Sequence, residues 1–213
     1  MRHVLHVELL KELQRQLKEG VNADAGGLRK NPAAAYFCPE MASRERTEFF
    51  EGHPQIIGLS GELPEPGTFV TLSDFGIEVL ATRDETGVFR AFLNSCRHRG
   101  TIVEQERRGK KQRFNCPFHG WSYTQDGALA GIPLNDHFGE IDKSSHGLIE
   151  LPAVESRGFL WVYPNPKGRI AADELLGGLS DDMDSWDFGK LILADETTYD
   201  MRLNWKLAID TFG

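Results

Sequence analysis

Two short segments, each with one cysteine and one histidine, constrain this sequence more than any other feature. In the first segment Cys96 and His98 are separated by one residue, and in the second Cys116 and His119 are separated by two. A glycine follows each histidine, directly after His119 and one residue after His98. Two thiolates and two imidazoles in this pattern predict a metal centre.

Two kinds of metal centre use this set of ligands. A single zinc ion could take all four, although zinc modules usually place about two to five residues between paired ligands. With only Arg97 between them, Cys96 and His98 would diverge in an extended segment and suit two neighbouring metal atoms better. In a Rieske [2Fe–2S] centre, two cysteines bind one iron and two histidines bind the other. We predict that centre at Cys96, His98, Cys116 and His119, with zinc and an unrelated grouping as alternatives.

The sequence around the motif predicts a mainly β, antiparallel domain. From about residue 55, short runs rich in Val, Ile, Phe and Thr alternate with turn clusters such as Pro64-Glu65-Pro66-Gly67. Many short strands at close spacing are typical of a sandwich or small barrel. The predicted strands are 55–58, 68–72, 77–82, 88–93, 112–116, 121–124 and 158–163.

The flanking sequence predicts helices. The first twenty residues form an amphipathic pattern that places Leu10, Leu13 and Leu17 on one face and ends at Gly20. Residues 45–50 predict a short helix, the acidic residues 170–190 a linker or surface helix, and residues 191–203 a strand. Residues 204–212 begin a helical pattern in which the chain stops, so we expect a fragment of a longer protein.

Composition narrows the function classes. The net charge of −8 argues against nucleic-acid binding. The sequence contains no run of eighteen apolar residues, so it predicts no membrane span. The charged N-terminus does not resemble a signal peptide. Three cysteines without such a signal indicate a reducing compartment, so we expect a cytoplasmic protein. Cys38, which has no nearby ligand partner, is predicted to be a free, buried thiol.

The motif segments together resemble a known family. Residues 64–67, residues 90–100 with their ending NSCRHRG, and residues 116–123 with the sequence CPFHGWSY are similar to the large (alpha) subunit of Rieske non-heme iron ring-hydroxylating oxygenases. The segment Asn204-Trp205-Lys206 resembles the beginning of the catalytic domain in that family.

The resemblance implies an N-terminal helical arm (1–45), a Rieske [2Fe–2S] domain (46–165) and the incomplete start of an α+β catalytic domain (166–213). It implies electron transfer from a reductase or ferredoxin to a mononuclear Fe(II) whose ligands lie beyond this chain, so we expect no catalytic residue here and no oxygenase activity from the chain alone. It also implies dioxygenase or monooxygenase chemistry in aromatic hydrocarbon catabolism and a homotrimer. The alternative is a stand-alone Rieske ferredoxin, although such carriers are shorter.

Two further expectations concern the centre's properties. Respiratory Rieske proteins join the loops by a disulfide and place a serine where Trp121 stands here. Without that hydroxyl the reduced cluster loses a hydrogen bond, so we expect a low midpoint potential, within the Rieske range of about −150 to +300 mV. The basic residues 106–113 are interpreted as a solvated hairpin tip or as a docking patch for an acidic electron donor.

Overall fold

The computed structural model describes residues 3–22, 27, 28 and 30–210. The chain forms two compact units. One contains the N-terminal residues up to Ala42 together with the residues from Asp200 onward, and the other is Ser43–Tyr199. None of the described helices has the length and apolar character needed to cross a membrane. The domain boundaries expected at residues 45 and 165 stay predictions.

Short helices make up the first unit and part of the second. The α-helices are α1 (His3–Glu19), α2 (Ala34–Phe37), α3 (Pro39–Glu45), α4 (Ala172–Leu176), α5 (Ser180–Asp184) and α6 (Trp205–Asp210). A π-helical turn at Arg46–Glu51 follows α3. These confirm the helices predicted near the N-terminus, at residues 45–50 and within residues 170–190. The helix predicted at 204–212 is α6, and residues 211 and 212 lie outside the described residues.

Within the first unit, α2 and α6 are joined by side chains. The Tyr36 hydroxyl donates to Asp210 Oδ2 (2.5 Å), and Asn204 Nδ2 donates to the Tyr36 carbonyl (3.1 Å). Helix α1 has no buried residue, so its leucine face is exposed. Cys38 is free but only partly buried, so the prediction of a buried thiol was wrong: the short helices around it leave its side chain near the surface.

The second unit is built from antiparallel strands. They are β1 (Gln55–Leu59), β2 (Thr68–Leu72), β3 (Val79–Arg83), β4 (Phe89–Leu93), β5 (Arg108–Lys110), β6 (Arg113–Asn115), β7 (Ser122–Thr124), β8 (Leu129–Gly131), β9 (Glu150–Leu151), β10 (Ala153–Ser156) and β11 (Phe159–Val162). They form three sheets with the orders β1-β11-β10, β5-β2-β3-β4-β9 and β6-β7-β8. The seven predicted strands are present, and the mainly β, antiparallel fold is confirmed.

One predicted strand is wrong. Residues 191–203 contain neither helix nor strand. The apolar side chains that suggested a strand, among them Ile192 and Tyr199, are 81% exposed. Such residues favour a strand only where they pack on a neighbouring one, and this segment joins no sheet of the described residues.

The central five-stranded sheet buries side chains on both faces. On one face Phe69, Leu80 and Phe92 pack in a cluster that also contains Cys96 and Cys116. On the other face the alternate residues of the same strands pack against β11. The two cysteines of the motif therefore lie in the hydrophobic core, at the end nearest the β6-β7-β8 sheet.

Candidate metal centre

The first motif loop leaves the end of β4 and turns back on itself. The backbone N–H of Gly100 donates to the Cys96 carbonyl (2.8 Å), and the N–H of Cys96 donates to the Thr101 carbonyl (2.8 Å). The buried side chain of Asn94 holds the segment that follows the loop. Its Nδ2 donates to the Glu104 carbonyl (2.7 Å), and its Oδ1 accepts from the Glu104 N–H (3.0 Å). The loop is thus anchored at both ends.

The second loop, between β6 and β7, repeats the same pattern. The N–H of Gly120 donates to the Cys116 carbonyl (3.0 Å), and the N–H of Cys116 donates to the Trp121 carbonyl (2.8 Å). Gly120 has φ +70°, a backbone conformation that favours glycine. A Cβ at this position would also lie only 2.9 Å from Pro133 Cγ. We expected an extended segment at Cys96; both loops are instead hydrogen-bonded turns, because each glycine adopts a positive φ that closes the turn.

The two turns bring all four predicted ligands together. The imidazole centroids of His98 and His119 are 4.7 Å apart. Cys96 and Cys116 belong to the same buried cluster, both residues are 3% exposed, and neither cysteine is in a disulfide. One pair of sulfurs therefore lies in the core and one pair of imidazoles lies nearer the surface.

The donor set fits a [2Fe–2S] cluster. Nδ1 of His98 and Nδ1 of His119 are both buried without a hydrogen-bond partner, and buried nitrogens of this kind normally have one. Two imidazole nitrogens without a partner and two thiols outside any disulfide are the ligand types that the two irons of a Rieske cluster require.

A single zinc ion fits less well. In the described part of the chain, no group of three or more His, Cys, Asp or Glu side chains could hold one metal ion. Structural zinc needs four ligands around one point, whereas a [2Fe–2S] cluster needs only two protein ligands at each iron. The arrangement of the four side chains therefore favours the cluster.

Tyr123 contacts the inner pair of ligands. Its hydroxyl lies 3.3 Å from Cys96 Sγ and accepts the backbone N–H of Arg97 (3.0 Å). Burial, together with the Cys96 contact, raises the pKa of Tyr123 above its usual value, so the hydroxyl keeps its proton. A metal-bound Cys96 thiolate would carry no proton, so the Tyr123 O–H would then donate to the sulfur. Tyr123 is fully buried, so it is part of the core and also contacts a predicted ligand.

Aromatic rings surround the outer pair of ligands. The Trp121 ring is stacked on His98 at 5.0 Å and 8°, and Phe138 meets His98 edge-on at 5.3 Å. Phe118 covers His119 at 3.9 Å. Trp121 is buried. The contact of Phe138 with His98 was not predicted, since Phe138 belongs to a loop without any motif.

Burial also shifts the pKa values of two predicted ligands. It raises the pKa of Cys116, although the N–H groups of Phe118 and His119 oppose that shift. It lowers the pKa of His98, with the charges of His119 and Arg99 adding to the effect. A neutral imidazole is the form that binds metal, and a buried thiolate needs a nearby cation such as a metal ion.

The basic segment 106–113 makes ion pairs within the chain. The partners are Glu196 for Arg107, Glu62 and Glu196 for Arg108, Glu65 for Lys110, and Glu104 and Glu106 for Lys111. Most of its charge is therefore compensated. Three other histidines lie apart from the motif: His53 and His137 are exposed, and Nδ1 of His146 is 2.8 Å from the Asp142 carbonyl oxygen.

The region that contains the two motif loops is similar to known proteins. The model of the Rieske [2Fe-2S] domain matches residues 53–152. The chain is 30% identical over 181 residues to the glycine betaine monooxygenase oxygenase subunit of Chromohalobacter salexigens, covering 84% of this chain and 40% of that protein. It is 30% identical over 175 residues to the anthranilate 1,2-dioxygenase large subunit of Acinetobacter baylyi, covering 79% and 37%.

A solved structure agrees with these matches. The quaternary ammonium Rieske monooxygenase CntA superposes with a TM-score of 0.77 at 25% identity, over 84% of this chain and 50% of that one. The chain thus spans about two fifths of the length of the curated relatives named here. A Rieske domain implies a [2Fe–2S] cluster. The chain therefore contains a Rieske [2Fe–2S] domain and is related to the N-terminal portion of the alpha subunits of Rieske oxygenases.

Proposed function

We propose that this chain transfers single electrons through a [2Fe–2S] cluster bound by Cys96 and Cys116 at one iron and by His98 and His119 at the other. The observation that carries the proposal is the meeting of two matching turns, which leaves two free thiols and two unpaired buried imidazole nitrogens side by side. When bound, the cluster would supply a one-electron redox couple.

The chain's own residues support that role in three ways. The core around Cys96 and Cys116 excludes water from the sulfurs. The hydroxyl of Tyr123 donates toward Cys96 Sγ. The rings of His98 and His119 lie toward the surface, where an electron can pass to or from another protein centre.

The experiment that tests this proposal is cluster loading of ligand variants. Cys116→Ser and His119→Ala should each lose the visible spectrum and the bound iron and sulfide. Cys38→Ser is the matched control, because Cys38 is free and lies outside the second unit, and it should keep the cluster. Retention of a normal cluster in either ligand variant would contradict the assignment.

For the whole protein, we propose an oxygenase alpha subunit. Its Rieske domain would receive electrons from a reductase or ferredoxin and pass them to a mononuclear Fe(II) held by residues beyond this chain. The relatives named above are oxygenase subunits, which favours this role over that of a stand-alone ferredoxin. A homotrimer in the cytoplasm remains part of the proposal.

Two substrate classes follow from the relatives. Ring hydroxylation of aromatic compounds is favoured by the match to anthranilate 1,2-dioxygenase. Monooxygenation of quaternary ammonium compounds is favoured by the matches to glycine betaine monooxygenase and CntA. Assays of a full-length protein with an aromatic acid and with glycine betaine, scored by hydroxylated or demethylated product, decide between them.

A further inference from the structure

Two aromatic side chains reach from the second loop to the first. Trp121 directly precedes β7, and Tyr123 is the middle residue of that strand. Residues two apart along a strand direction share a face, and the first loop lies on the face that these two residues share. The Tyr123 hydroxyl is 3.3 Å from Cys96 Sγ, and the Trp121 ring is stacked on His98. Each predicted ligand of the first loop therefore has one aromatic neighbour from the second.

These contacts join the loops without a covalent bond. Cys96 and Cys116 are both free, so no disulfide connects the two turns. At the Cys96 end, the N–H of Arg97 donates to the Tyr123 hydroxyl (3.0 Å). At the other end, the link between the loops passes through the side chain of a predicted metal ligand, because it is the His98 ring itself that contacts Trp121.

The ring plane of His98 depends on what packs against it. Rotation of an imidazole about its Cβ–Cγ bond has broad minima, so the backbone of the turn leaves the direction of Nδ1 open. Nδ1 is buried and has no hydrogen-bond partner. The ring lies 5.0 Å from the Trp121 ring with an angle of 8° between the planes, which is a stacked pair. A rotated imidazole would lose this flat contact.

Trp121 is itself held in place. It is 2% exposed, and it belongs to the buried cluster that contains Cys96 and Cys116. Its carbonyl accepts the N–H of Cys116 (2.8 Å), and Phe138 meets the Trp121 ring edge-on at 6.1 Å as well as the His98 ring at 5.3 Å. A ring fixed on several sides cannot follow the motion of His98, so the imidazole must adapt to it.

We infer that Trp121 is a positioning residue: it fixes the ring plane of His98, so that Nδ1 is directed toward its iron, and it holds the first loop on the second. This inference rests on the proposed function, because the direction of Nδ1 matters only if His98 binds a cluster iron. Trp121 acts through His98 alone. Residues that orient a metal ligand usually do so by a hydrogen bond; here a flat apolar contact does it.

The test uses the full 213-residue chain with its cluster loaded and its histidines labelled with ¹⁵N. Electron–nuclear double resonance of the reduced chain should resolve one ¹⁵N hyperfine coupling for each bound imidazole. Trp121→Leu keeps an apolar side chain but removes the flat ring, so it should change one of the two couplings. It should also speed the loss of iron to a chelator by about 10- to 100-fold. Trp121→Phe keeps a flat ring and should restore both properties.

Trp161 provides the matched control. It is 5% exposed, its indole N–H is buried without a partner like that of Trp121, and it lies in β11, outside the cluster of the two cysteines. Trp161→Leu therefore removes a comparable buried ring and the same kind of N–H group. It should keep both couplings and the wild-type rate of iron loss. Urea unfolding of the variants separates these effects from a general loss of stability.

Wild-type couplings in Trp121→Leu, with normal iron content, would overturn the positioning role and leave the electron-transfer role intact. A wild-type chain that binds no [2Fe–2S] cluster would instead contradict the proposed function. If Trp121→Leu does not load, Trp121→Met decides, since it fills more of the space without a flat ring: a changed coupling supports the inference and an unchanged one refutes it. Failure of both beside a loaded Trp121→Phe of equal stability also supports the need for a ring.

Discussion

The contact between the Tyr123 hydroxyl and Cys96 Sγ should affect the midpoint potential of the predicted cluster. The hydroxyl accepts from the Arg97 N–H and has its proton left for the sulfur. A reduced cluster carries one more negative charge than an oxidised one, so a donor at a ligand sulfur stabilises the reduced form more strongly. Tyr123 should therefore raise the midpoint potential.

Substitution of Tyr123 by phenylalanine tests this effect. Tyr123→Phe should lower the midpoint potential by about 50 mV, which corresponds to about 1 kcal/mol of lost hydrogen bonding for one electron. Redox titration of the loaded chain measures the shift. The control is Tyr163→Phe, which removes a hydroxyl that donates to the Gly52 carbonyl (2.5 Å). Equal potentials in Tyr123→Phe and wild type would show that the hydroxyl does not act on the sulfur.

The sequence was sufficient to predict the four candidate ligands but not the residues that contact them. Cys96, His98, Cys116 and His119 follow a local spacing that is visible in the chain. The partners of these side chains come from elsewhere: Tyr123 lies 27 residues beyond Cys96, and Phe138 belongs to a loop whose composition gives no signal. Such contacts depend on how the strands pack, which no local pattern specifies.

The two motif turns are similar elements that depend on their glycines. Gly120 has φ +70° and faces Pro133 at 2.9 Å from an added Cβ, whereas Gly87, in the turn between β3 and β4, has φ +83° with nothing within 4 Å. Alanine at either position strains the backbone by about 1–2 kcal/mol. Alanine at position 120 would also push the second loop away from Pro133, whereas alanine at position 87 meets no neighbouring atom.

A pair of alanine variants separates strain from loop geometry. Gly120→Ala should lose more than half of the bound iron and sulfide, because the loop shift displaces His119 and Cys116. Gly87→Ala should lower stability by about 1 kcal/mol and keep the full cluster. Metal analysis and thermal unfolding of both variants provide the comparison. Normal iron content in Gly120→Ala would mean that the turn tolerates a side chain.

The turn between β3 and β4 is held by a buried carboxylate. Burial alone would raise the pKa of Asp84, but hydrogen bonds from Thr86, Arg90 and Val88 outweigh it and lower the pKa to about 2. Arg90 Nε approaches Asp84 Oδ2 at 2.7 Å. Since the pKa in the folded chain lies below the unfolded value of about 4, the charged carboxylate stabilises the fold above that pH.

This stabilisation should be lost in acid. Asp84→Asn should reduce the free energy of unfolding by about 2 kcal/mol at pH 6. The difference between the variant and the wild type should shrink as the pH falls from 4 toward 2, because Asp84 then becomes protonated in the folded chain as well. Urea unfolding at several pH values measures it. A difference that stays constant across this range would contradict the assigned pKa shift.

Strand prediction succeeded for apolar runs between turn signals and failed where pairing with a neighbouring strand decides. β2 was found with its observed bounds because its five residues, Thr68–Leu72, are mostly apolar and lie between turn signals. β5 (Arg108–Lys110) was read as part of a charged hairpin tip; it is a strand because it pairs with β2. Residues 191–203 show the opposite error, since their composition suits a strand that finds no neighbour.

The distribution of charge across the chain changes how the basic segment is interpreted. Glu196 pairs with both Arg107 and Arg108, although 88 residues separate it from Arg108. In the folded chain, an acidic residue distant in the sequence therefore pairs with the basic side chains of this segment. Lys110 and Lys111 of the same segment are likewise paired with carboxylates.

The loaded chain should act as an electron acceptor and no more. We expect it to take up one electron per cluster from a reduced ferredoxin, because the cluster is the only redox centre the proposal assigns to these residues. It should form no hydroxylated product with an aromatic acid or glycine betaine under air. Product analysis beside an electron count checks both statements, and substrate turnover would refute the placement of the oxygen-activating iron beyond this chain.

Mössbauer spectroscopy of the oxidised, ⁵⁷Fe-loaded chain tests the four-ligand assignment most directly. Two cysteines at one iron and two histidines at the other make the irons inequivalent. The spectrum of the oxidised cluster should contain two ferric sites in equal amounts with different isomer shifts. A chain that binds one zinc ion, or a cluster whose two irons have identical sulfur surroundings, would contradict the account.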